Sequence, residues 1–396
     1  MERIIMHVDV NNAFLSWSAV YYLQNGLNVD IRTIPSAIAG EKAKRTGIIL
    51  AKSIPAKKMG VKTGDAIYLA KNKCPSLKIY PPNYKFYSEM SKKMFDYLYS
   101  LTPDIEIASI DECYIDYSKI KKLYGDEINF AKKINKEIKE KFGFTVNVGI
   151  ANNKLCAKMA SDFEKPNKVH TLYKNEIKEK MWPLDVDELF MVGKSSSTKL
   201  HELGINKIGD LACSNLNMLV KYFKSMGHMM YEYANGIDNS DVEKAEPKNK
   251  GISNSTTLPY DLYDLQSIKK VFRKLSQTVG IRLREEKKYA TVVSVQLKNN
   301  NFFNYQHQKK LVNPVSSNED IYEVSCEILK DMWKEDSIRL VGLRVSDFID
   351  KTFEQVSLFE ETGKSNKREK IQNVIDKINK KYGNNTINNA SLYNDK

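Results

Sequence analysis

Ile105-Glu106-Ile107-Ala108-Ser109-Ile110-Asp111-Glu112-Cys113-Tyr114-Ile115-Asp116-Tyr117 decides how this chain folds. Ile105 and Ile107 alternate with Glu106 and Ala108, and Cys113, Ile115 and Tyr117 alternate with Glu112, Tyr114 and Asp116. Two period-two runs meeting at a short polar break read as a β-hairpin with Asp111 and Glu112 at its tip. An acid pair at a turn is, taken alone, a solvated turn. Its meaning comes from the elements around it.

Upstream, Ile4 to Val10 is a compact run of β-formers closed by Asn11-Asn12, a buried strand with Asp9 near its end. Asn11 or Asn12 is placed to cap the next helix, where Phe14, Trp17 and Tyr21 recur at helical spacing until Gly26. A helix over Asn83 to Leu101 precedes the hairpin; a helix through Ile128, Ala131, Ile134 and Ile138 and a strand from Phe144 to Ile150 follow it. The order β, α, β, β, α, β is that of a ferredoxin-like sheet, whose third strand runs antiparallel beside the first. The start of the third strand then meets the end of the first, which gathers Asp9, Asp111 and Glu112. Three carboxylates so placed repel one another unless a cation joins them, and hard oxygen ligands of this kind suit Mg²⁺ shared with waters and phosphates. Two Mg²⁺ ions roughly 3.5–4 Å apart are the apparatus of in-line nucleotidyl transfer.

The 396 residues exceed what one core normally serves, so two to four domains are expected. A net charge of +13 suggests a polyanionic partner. The five cysteines are scattered without a CxxC pair, which speaks against a disulfide frame or a zinc site and fits a reducing cytoplasm. No run approaches membrane-spanning length and the apolar start is too short for a signal peptide, so the expected location is cytoplasmic. Between Ile31 and Tyr80 short strands and helices alternate, with Lys42, Lys44, Lys52, Lys57, Lys58 and Lys62 as a basic series. Such a series is ordinarily a solvated face; its place between two acid-bearing strands makes phosphate binding an open alternative.

Several separated segments together resemble the Y-family translesion DNA polymerases: His7-Val8-Asp9-Val10-Asn11, Gly47 to Gly64 with Pro55 to Val61, Ser109 to Asp116, and Val148 to Lys154 running on to Lys165-Pro166-Asn167. The resemblance covers residue 1 to about 350 and weakens towards the C-terminus. It implies an α+β right-hand polymerase with a palm at 1–10 and 81–170, small fingers at 11–80, a helix-hairpin-helix thumb at 171–235, a linker at 236–252, a little finger at 253–350, and a tail at 351–396. It implies error-prone addition of dNMPs to a primer 3′ end on template DNA. Asp9 and Asp111 would hold two Mg²⁺ ions with Glu112 as the catalytic carboxylate, and the Val10 carbonyl would add a ligand. Phe14 stands at the steric gate that selects deoxynucleotides, and Lys57 and Lys165 reach the triphosphate. Ile54 and Lys57 depart from the family pattern, which has Tyr and Arg there; a hydroxyl and a bidentate fork are replaced by an apolar side chain and a point charge.

Asp187 to Val192, the turn Gly193-Lys194-Ser195, and Ser196 to Leu203 read as a hairpin of two helices that would grip a DNA phosphate through backbone N–H groups; a plain helical hairpin is the alternative. The polar stretch Asn235 to Ser253 suits a tether. Beyond it, helices at Ile268 to Leu283 and Ile321 to Trp333 and strands at Ala290 to Leu297 and Arg339 to Phe348 are expected. Lys269, Lys270, Arg273 and Lys274 accompany them, with Lys298, Lys309 and Lys310 in loops, a density of cations suited to a duplex backbone or to solvated faces. Gln355-Val356-Ser357-Leu358-Phe359 resembles a sliding-clamp-binding peptide, with Gln355, Leu358 and Phe359 as anchors. A short amphipathic helix through Ile371, Val374, Ile375 and Ile378 follows. The expected partners are primer-template DNA, dNTPs and the clamp, without a membrane, and the chain is expected to act as a monomer. Two other readings stay open: a nucleotide cyclase-like palm enzyme, and a catalytically weak clamp-associated DNA-binding protein.

Overall fold

The structure is a computed structural model that describes residues 3–40, 47–244, 249–350, 364–383 and 386–387, with only the backbone of 364–367 and 369. The described chain divides into one unit holding residues 3–40 and 48–244 and another holding residue 47 and 249 onward. No helix among the described residues is long and apolar enough to cross a membrane.

The first unit is built in the order β1 (Ile5–Val10), α1 (Ala13–Gln24), β2 (Ser36–Ala39), β3 (Ile49–Lys52), α2 (Ile54–Lys58), α3 (Ile67–Lys73), β4 (Lys78–Tyr80), α4 (Tyr84–Leu101), β5 (Ile105–Ile107), β6 (Glu112–Asp116), α5 (Lys121–Tyr124), α6 (Glu127–Phe142), β7 (Val146–Ala151), α7 (Lys154–Asp162) and β8 (Val169–Leu172). Four short helices complete it: α8 (Lys194–Glu202), α9 (Ile208–Ala212), α10 (Leu216–Phe223) and α11 (Ser225–Ala234). Its main sheet runs β5-β6-β1-β7-β8, so β1 is central, antiparallel to both neighbours, and β8 is an added parallel edge strand.

Strand alternation assigns the two faces of this sheet. Met6, Val8, Val10, Cys113, Ile115, Val146, Val148 and Ile150 join Trp17, Tyr87, Met94 and Ile134 in one core beneath α1, α4 and α6. His7, Asp9, Glu112, Tyr114, Asn147 and Gly149 take the other face, where α7 lies across β1 and β7. Side-chain caps fix the helix starts: Asn83 accepts from the Phe86 N–H, Asp126 from Asn129 and Asn153 from Cys156. Each cap contributes about 1 kcal/mol. Asn11 or Asn12 was expected to cap α1; Asn12 holds the cap position without a side-chain cap hydrogen bond. It sits in the left-handed region (φ 50°) and its side-chain amide donates instead to the Lys52 carbonyl at 2.7 Å, tying the start of α1 to β3.

A second, three-stranded sheet, β3-β2-β4, carries α2 and α3 and the basic series as far as it is described; Lys42 and Lys44 lie outside the described residues. Downstream, the helix expected over Asp187 to Val192 is a single 3₁₀ turn at Val186–Glu188, and Gly193-Lys194-Ser195, expected as a turn, opens α8. The side chain of Asp187 accepts from the Ser197 hydroxyl and pairs with His201 on α8, which draws the chain back before another helical turn can form. The tether reading also changes: the Arg3 guanidinium donates to the Ser240 carbonyl at 2.7 Å and the Glu243 N–H to Glu106 at 2.8 Å, so 240–244 lie along the first unit.

The second unit contains β9 (Gly251–Leu262), α12 (Leu265–Glu285), β10 (Tyr289–Asn299), β11 (Asn304–Val315), α13 (Asn318–Met332), β12 (Ile338–Ile349) and α14 (Lys364–Tyr382). Its sheet runs β11-β10-β12-β9, all neighbours antiparallel. Val293, Val295, Leu297, Val341, Leu343 and Val345 pack under α12 and α13. Two strands, β9 and β11, were not read from sequence, because each buries little and is polar along most of its length. Lys298, Lys309 and Lys310 therefore lie in strands rather than in loops.

Candidate active site

Asp9 and Glu112 are register partners across β1 and β6, and Asp111 precedes β6 with its carbonyl accepting the Val10 N–H at 3.0 Å. One oxygen each of Asp9 and Glu112 and a ring nitrogen of His7 all lie within 4.8 Å of one another. Asp111 is outside that group; its carboxylate accepts the Ser109 hydroxyl at 2.6 Å. Burial, with Asp9 and Glu112 nearby, pushes the Asp111 carboxyl above its ordinary value, while Ser109 opposes the shift. Glu112 goes the other way, to about 2, held down by the His7 ring and the Lys158 ammonium beside it.

Lys158 was not singled out from the sequence, and it is central. Its ammonium lies 2.9 Å from Glu112 Oε2, 3.3 Å from Asp9 Oδ2 and 3.3 Å from Asp162 Oδ2. Lys165 reaches Asp9 Oδ2 and Asp162 Oδ1, each at 2.8 Å. Burial works against charge on Lys165, yet Asp9 and Asp162 hold its pKa above the ordinary value. His7 Nε2 lies 3.3 Å from the Glu112 oxygen that Lys158 binds. Burial holds the His7 imidazole below its ordinary pKa, against the pull of its hydrogen bond to Glu112. Four carboxylates, Asp9, Asp111, Glu112 and Asp162, thus face two ammonium groups, an acidic excess suited to hard divalent cations.

The α7 side of this cluster is built by residues whose signals were quiet. Gly149 lets α7 approach the sheet. Ser161 meets His7 Nδ1 at 2.8 Å and donates to the Lys158 carbonyl at 2.8 Å. Asn147, fully buried, donates to the carbonyls of Ser161 and Glu164 and accepts the Lys168 N–H, while Asn11 accepts the Asn167 N–H. These bonds fix the loop that carries Lys165. A buried Asn inside Val146-Asn147-Val148 was the available signal, since a buried amide needs partners.

Phe14 is half-buried on α1 and stacks on Tyr87 at 5.0 Å between ring centroids with 12° between planes, with Tyr84 edge-on at 6.1 Å. Tyr87 is in turn fixed by a 2.7 Å hydrogen bond to Ser18. Lys57 is exposed on α2, and Ile54, 54 % exposed, opens the same helix. Gly193 precedes α8, of which Lys194 and Ser195 are the first residues. Gln355, Leu358 and Phe359 lie outside the described residues.

The second unit has a helix-free sheet face. By register it presents Lys310 and Ser346, Gln308, Ser294, Arg344 and Ser253, then Gln296 and Ser255, then Lys298 and Thr257. Gly251 lies under the Arg344 guanidinium, within 2.7 Å of where its Cβ would be. The α12 cations named from the sequence belong to the opposite, helical layer, where Arg273 pairs with Glu319 and covers the Tyr322 ring.

Carboxylates gathered at facing strand ends of an antiparallel sheet, with a helical module after it and a separate α/β unit beyond, define the palm and accessory domains of a right-hand polymerase. The impB/mucB/samB family profile matches residues 8–162, its C-terminal domain profile residues 249–358, and the DNA polymerase-iota thumb domain profile residues 187–238. DNA polymerase IV of Clostridium acetobutylicum is 48 % identical over 393 residues, spanning 99 % of this chain and 98 % of that one. DNA polymerase IV 1 of Bacillus subtilis is 33 % identical over 386 residues, 96 % and 91 % of the two chains. Among solved structures, a Y-family DNA polymerase chimera, Dbh-Dpo4(243-245)-Dbh, superposes with a TM-score of 0.76 at 26 % identity, covering 88 % of this chain and all of that one. The chain belongs to the impB/mucB/samB family of Y-family translesion DNA polymerases and is a DNA-directed DNA polymerase.

Proposed function

We propose that this polymerase extends a primer with two Mg²⁺ ions held by Asp9, Asp111, Glu112 and the Val10 carbonyl. The observation that carries this is the β1–β6 register, in which Asp9 faces Glu112 and Asp111 adjoins both. The donor set fits: carboxylate and carbonyl oxygens are what Mg²⁺ accepts, and lysine ammonium groups already lie against Asp9 and Glu112. When bound, the ions activate the primer 3′-hydroxyl and neutralise charge on the triphosphate.

The chain's own residues do the rest. The 3′-oxygen bonds to the α-phosphorus and pyrophosphate leaves, with Lys57 and Lys165 as point charges for the triphosphate. Phe14, immobilised by Tyr87 and Tyr84, meets the sugar edge of the incoming nucleotide and excludes a 2′-hydroxyl. Asn147 and Asn11 hold the Lys165 loop in place. The N–H groups at Gly193, Lys194 and Ser195 meet a duplex phosphate. The sheet face bearing Lys298, Lys310 and Arg344 follows the duplex backbone, with Ser and Gln side chains adding sequence-independent hydrogen bonds. Palm, fingers, thumb and tail take the sequence boundaries given above; the linker is shortened, since 240–244 lie along the first unit and β9 extends the little finger back to Gly251. The enzyme acts as a monomer, recruited to the primer end through Gln355 to Phe359.

Primer extension with Mg²⁺ and four dNTPs tests the assignment. Asp111→Asn and Glu112→Gln are each expected to lower the rate about 10³-fold or more, as loss of a metal-holding carboxylate forfeits several kcal/mol of transition-state stabilisation. Primer-template binding is expected to persist. Extension at the natural rate by both variants would refute the carboxylate assignment.

A further inference from the structure

Lys158 occupies a position that the polymerase reading leaves unexplained. Its ammonium is among the least exposed charges of the site, with 13 % of the side chain accessible, and it touches the two carboxylates, Asp9 and Glu112, that the metals would need. A buried ammonium held by two acids is a counter-ion: removing it leaves the acids to repel, and adding a divalent cation beside it brings like charges together. Lys158 contacts one oxygen of each acid, Asp9 Oδ2 and Glu112 Oε2, so a divalent cation held by those carboxylates meets a like charge about 3 Å from its ligand oxygens.

Asp162 supplies the second half of the arrangement. It closes α7 one turn after Lys158, its side chain is 46 % accessible, and its two oxygens are shared between Lys158 at 3.3 Å and Lys165 at 2.8 Å. An i,i+4 pair on one helix face stays within reach when the lysine tip swings by a rotamer. Asp162 is therefore a landing site for the ammonium that does not compete with a metal.

We propose that Lys158 is an exchangeable counter-ion: it neutralises Asp9 and Glu112 before metal binds, and the incoming divalent cation displaces it onto Asp162, which acts as the positioning residue for the exchange. This rests on the assignment of Asp9 and Glu112 as metal-holding groups. The exchange has two consequences. The carboxylates are never left uncompensated in the empty enzyme, so the palm keeps its geometry between turnovers. Metal affinity is set below what the bare carboxylates would give, because each binding event must move an ammonium. The displaced charge also remains beside Asp162 and Lys165, close to the loop proposed to meet the triphosphate.

Mn²⁺ binding to the full-length protein without DNA or nucleotide, followed by electron paramagnetic resonance, tests this independently of turnover. Lys158→Met is expected to tighten Mn²⁺ binding by roughly tenfold or more, since a unit charge about 3 Å from the ligand oxygens is removed. Its thermal midpoint is expected to fall in the absence of metal and to recover with Mn²⁺. Asp162→Asn, altering a partly exposed residue, is expected to weaken Mn²⁺ binding severalfold in the natural protein and much less in the Lys158→Met background. Coupling of that kind is the mark of a shared exchange. Unchanged or weaker binding by Lys158→Met overturns the proposal, as does an Asp162→Asn effect of equal size in both backgrounds, which is plain long-range attraction. Mn²⁺ binding that survives Asp9→Asn and Asp111→Asn unaltered instead overturns the underlying metal assignment.

Discussion

Gly149 lies so close to α7 that a Cβ on it would stand 2.0 Å from the Ala157 carbonyl oxygen and 2.5 Å from the Ser161 nitrogen. Gly149 is also the register partner of His7 on β1. The missing side chain therefore sets the distance at which α7 delivers Lys158 and Ser161 to the carboxylates. Both obstructing atoms are backbone, so Gly149→Ala has to displace the helix. Overpacking of this kind costs about 1–3 kcal/mol. A lowered urea midpoint together with a disproportionate loss of primer extension is expected; unchanged extension would show that the α7 spacing is unimportant to the site.

Phe14 stacks on Tyr87 and meets Tyr84 edge-on, contacts that favour one placement of its ring in the proposed steric gate. Phe14→Ala is expected to raise ribonucleotide incorporation relative to deoxynucleotide by at least about 10²-fold, the loss of roughly 3 kcal/mol of steric discrimination. Competition between rNTP and dNTP on one primed template reads this directly, and an unaltered ratio would remove Phe14 from the role.

Arg284, with 8 % of its side chain exposed, forms a two-point pair with Asp376 of α14, at 2.6 and 3.1 Å, and also donates to the Ser316 carbonyl and Asn318. Arg284→Met leaves Asp376 without that partner and is expected to cost about 3 kcal/mol of α14 docking, in the range for breaking a buried pair. Faster amide exchange confined to α14 and the facing turns of α12 and α13 is the expected result in the full chain.

Asn206, through a hydrogen bond, and Asp187 raise the pKa of His201, and Ser197 and His201 in turn depress that of Asp187. A raised histidine contributes stability that is fully present below its unfolded value of about 6.5 and is lost as pH rises through the folded value. The contact of Asp187 with His201 near the end of α8 is thus expected to loosen as pH rises above about 6.5, and the His201 imidazole resonances to titrate above about 6.5. Asp187→Asn is expected to bring that titration down; no change would mean the pair is not formed in solution.

Deleting Gln355 to Phe359 is expected to spare distributive synthesis and abolish stimulation by the clamp, because tethering adds effective concentration and no contact at the reacting atoms. Stimulation that persists after the deletion would assign clamp binding elsewhere.

The family relationship stated from the sequence is shown by the comparisons, and the reason is local: the short segments carrying it sit where chain direction and residue type are fixed together, as at Asp9 before Asn11 and Asp111-Glu112 after Ser109. The ferredoxin-like order was legible because β1 and β7 are compact runs of β-formers buried along their whole length and β6 is buried at its centre. β9 and β11 escaped because pairing alone, without an apolar run, holds much of each in the sheet. The helix expected after Asp187 failed because that side chain is committed to Ser197 and His201, a tertiary preference that overrides local propensity.

By itself the sequence determined the strand order that brings Asp9 towards Glu112 and the residue types able to hold a cation there, since both follow from periodicity and topology. Only the tertiary structure decided what surrounds those acids. Lys158, Ser161 and Asp162 lie roughly 150 residues from Asp9 and about 50 from Glu112, and nothing in a linear reading says which helix face meets the sheet. That is set by a glycine whose absent side chain lets two backbones touch, and by a buried asparagine whose amide must find partners across the fold.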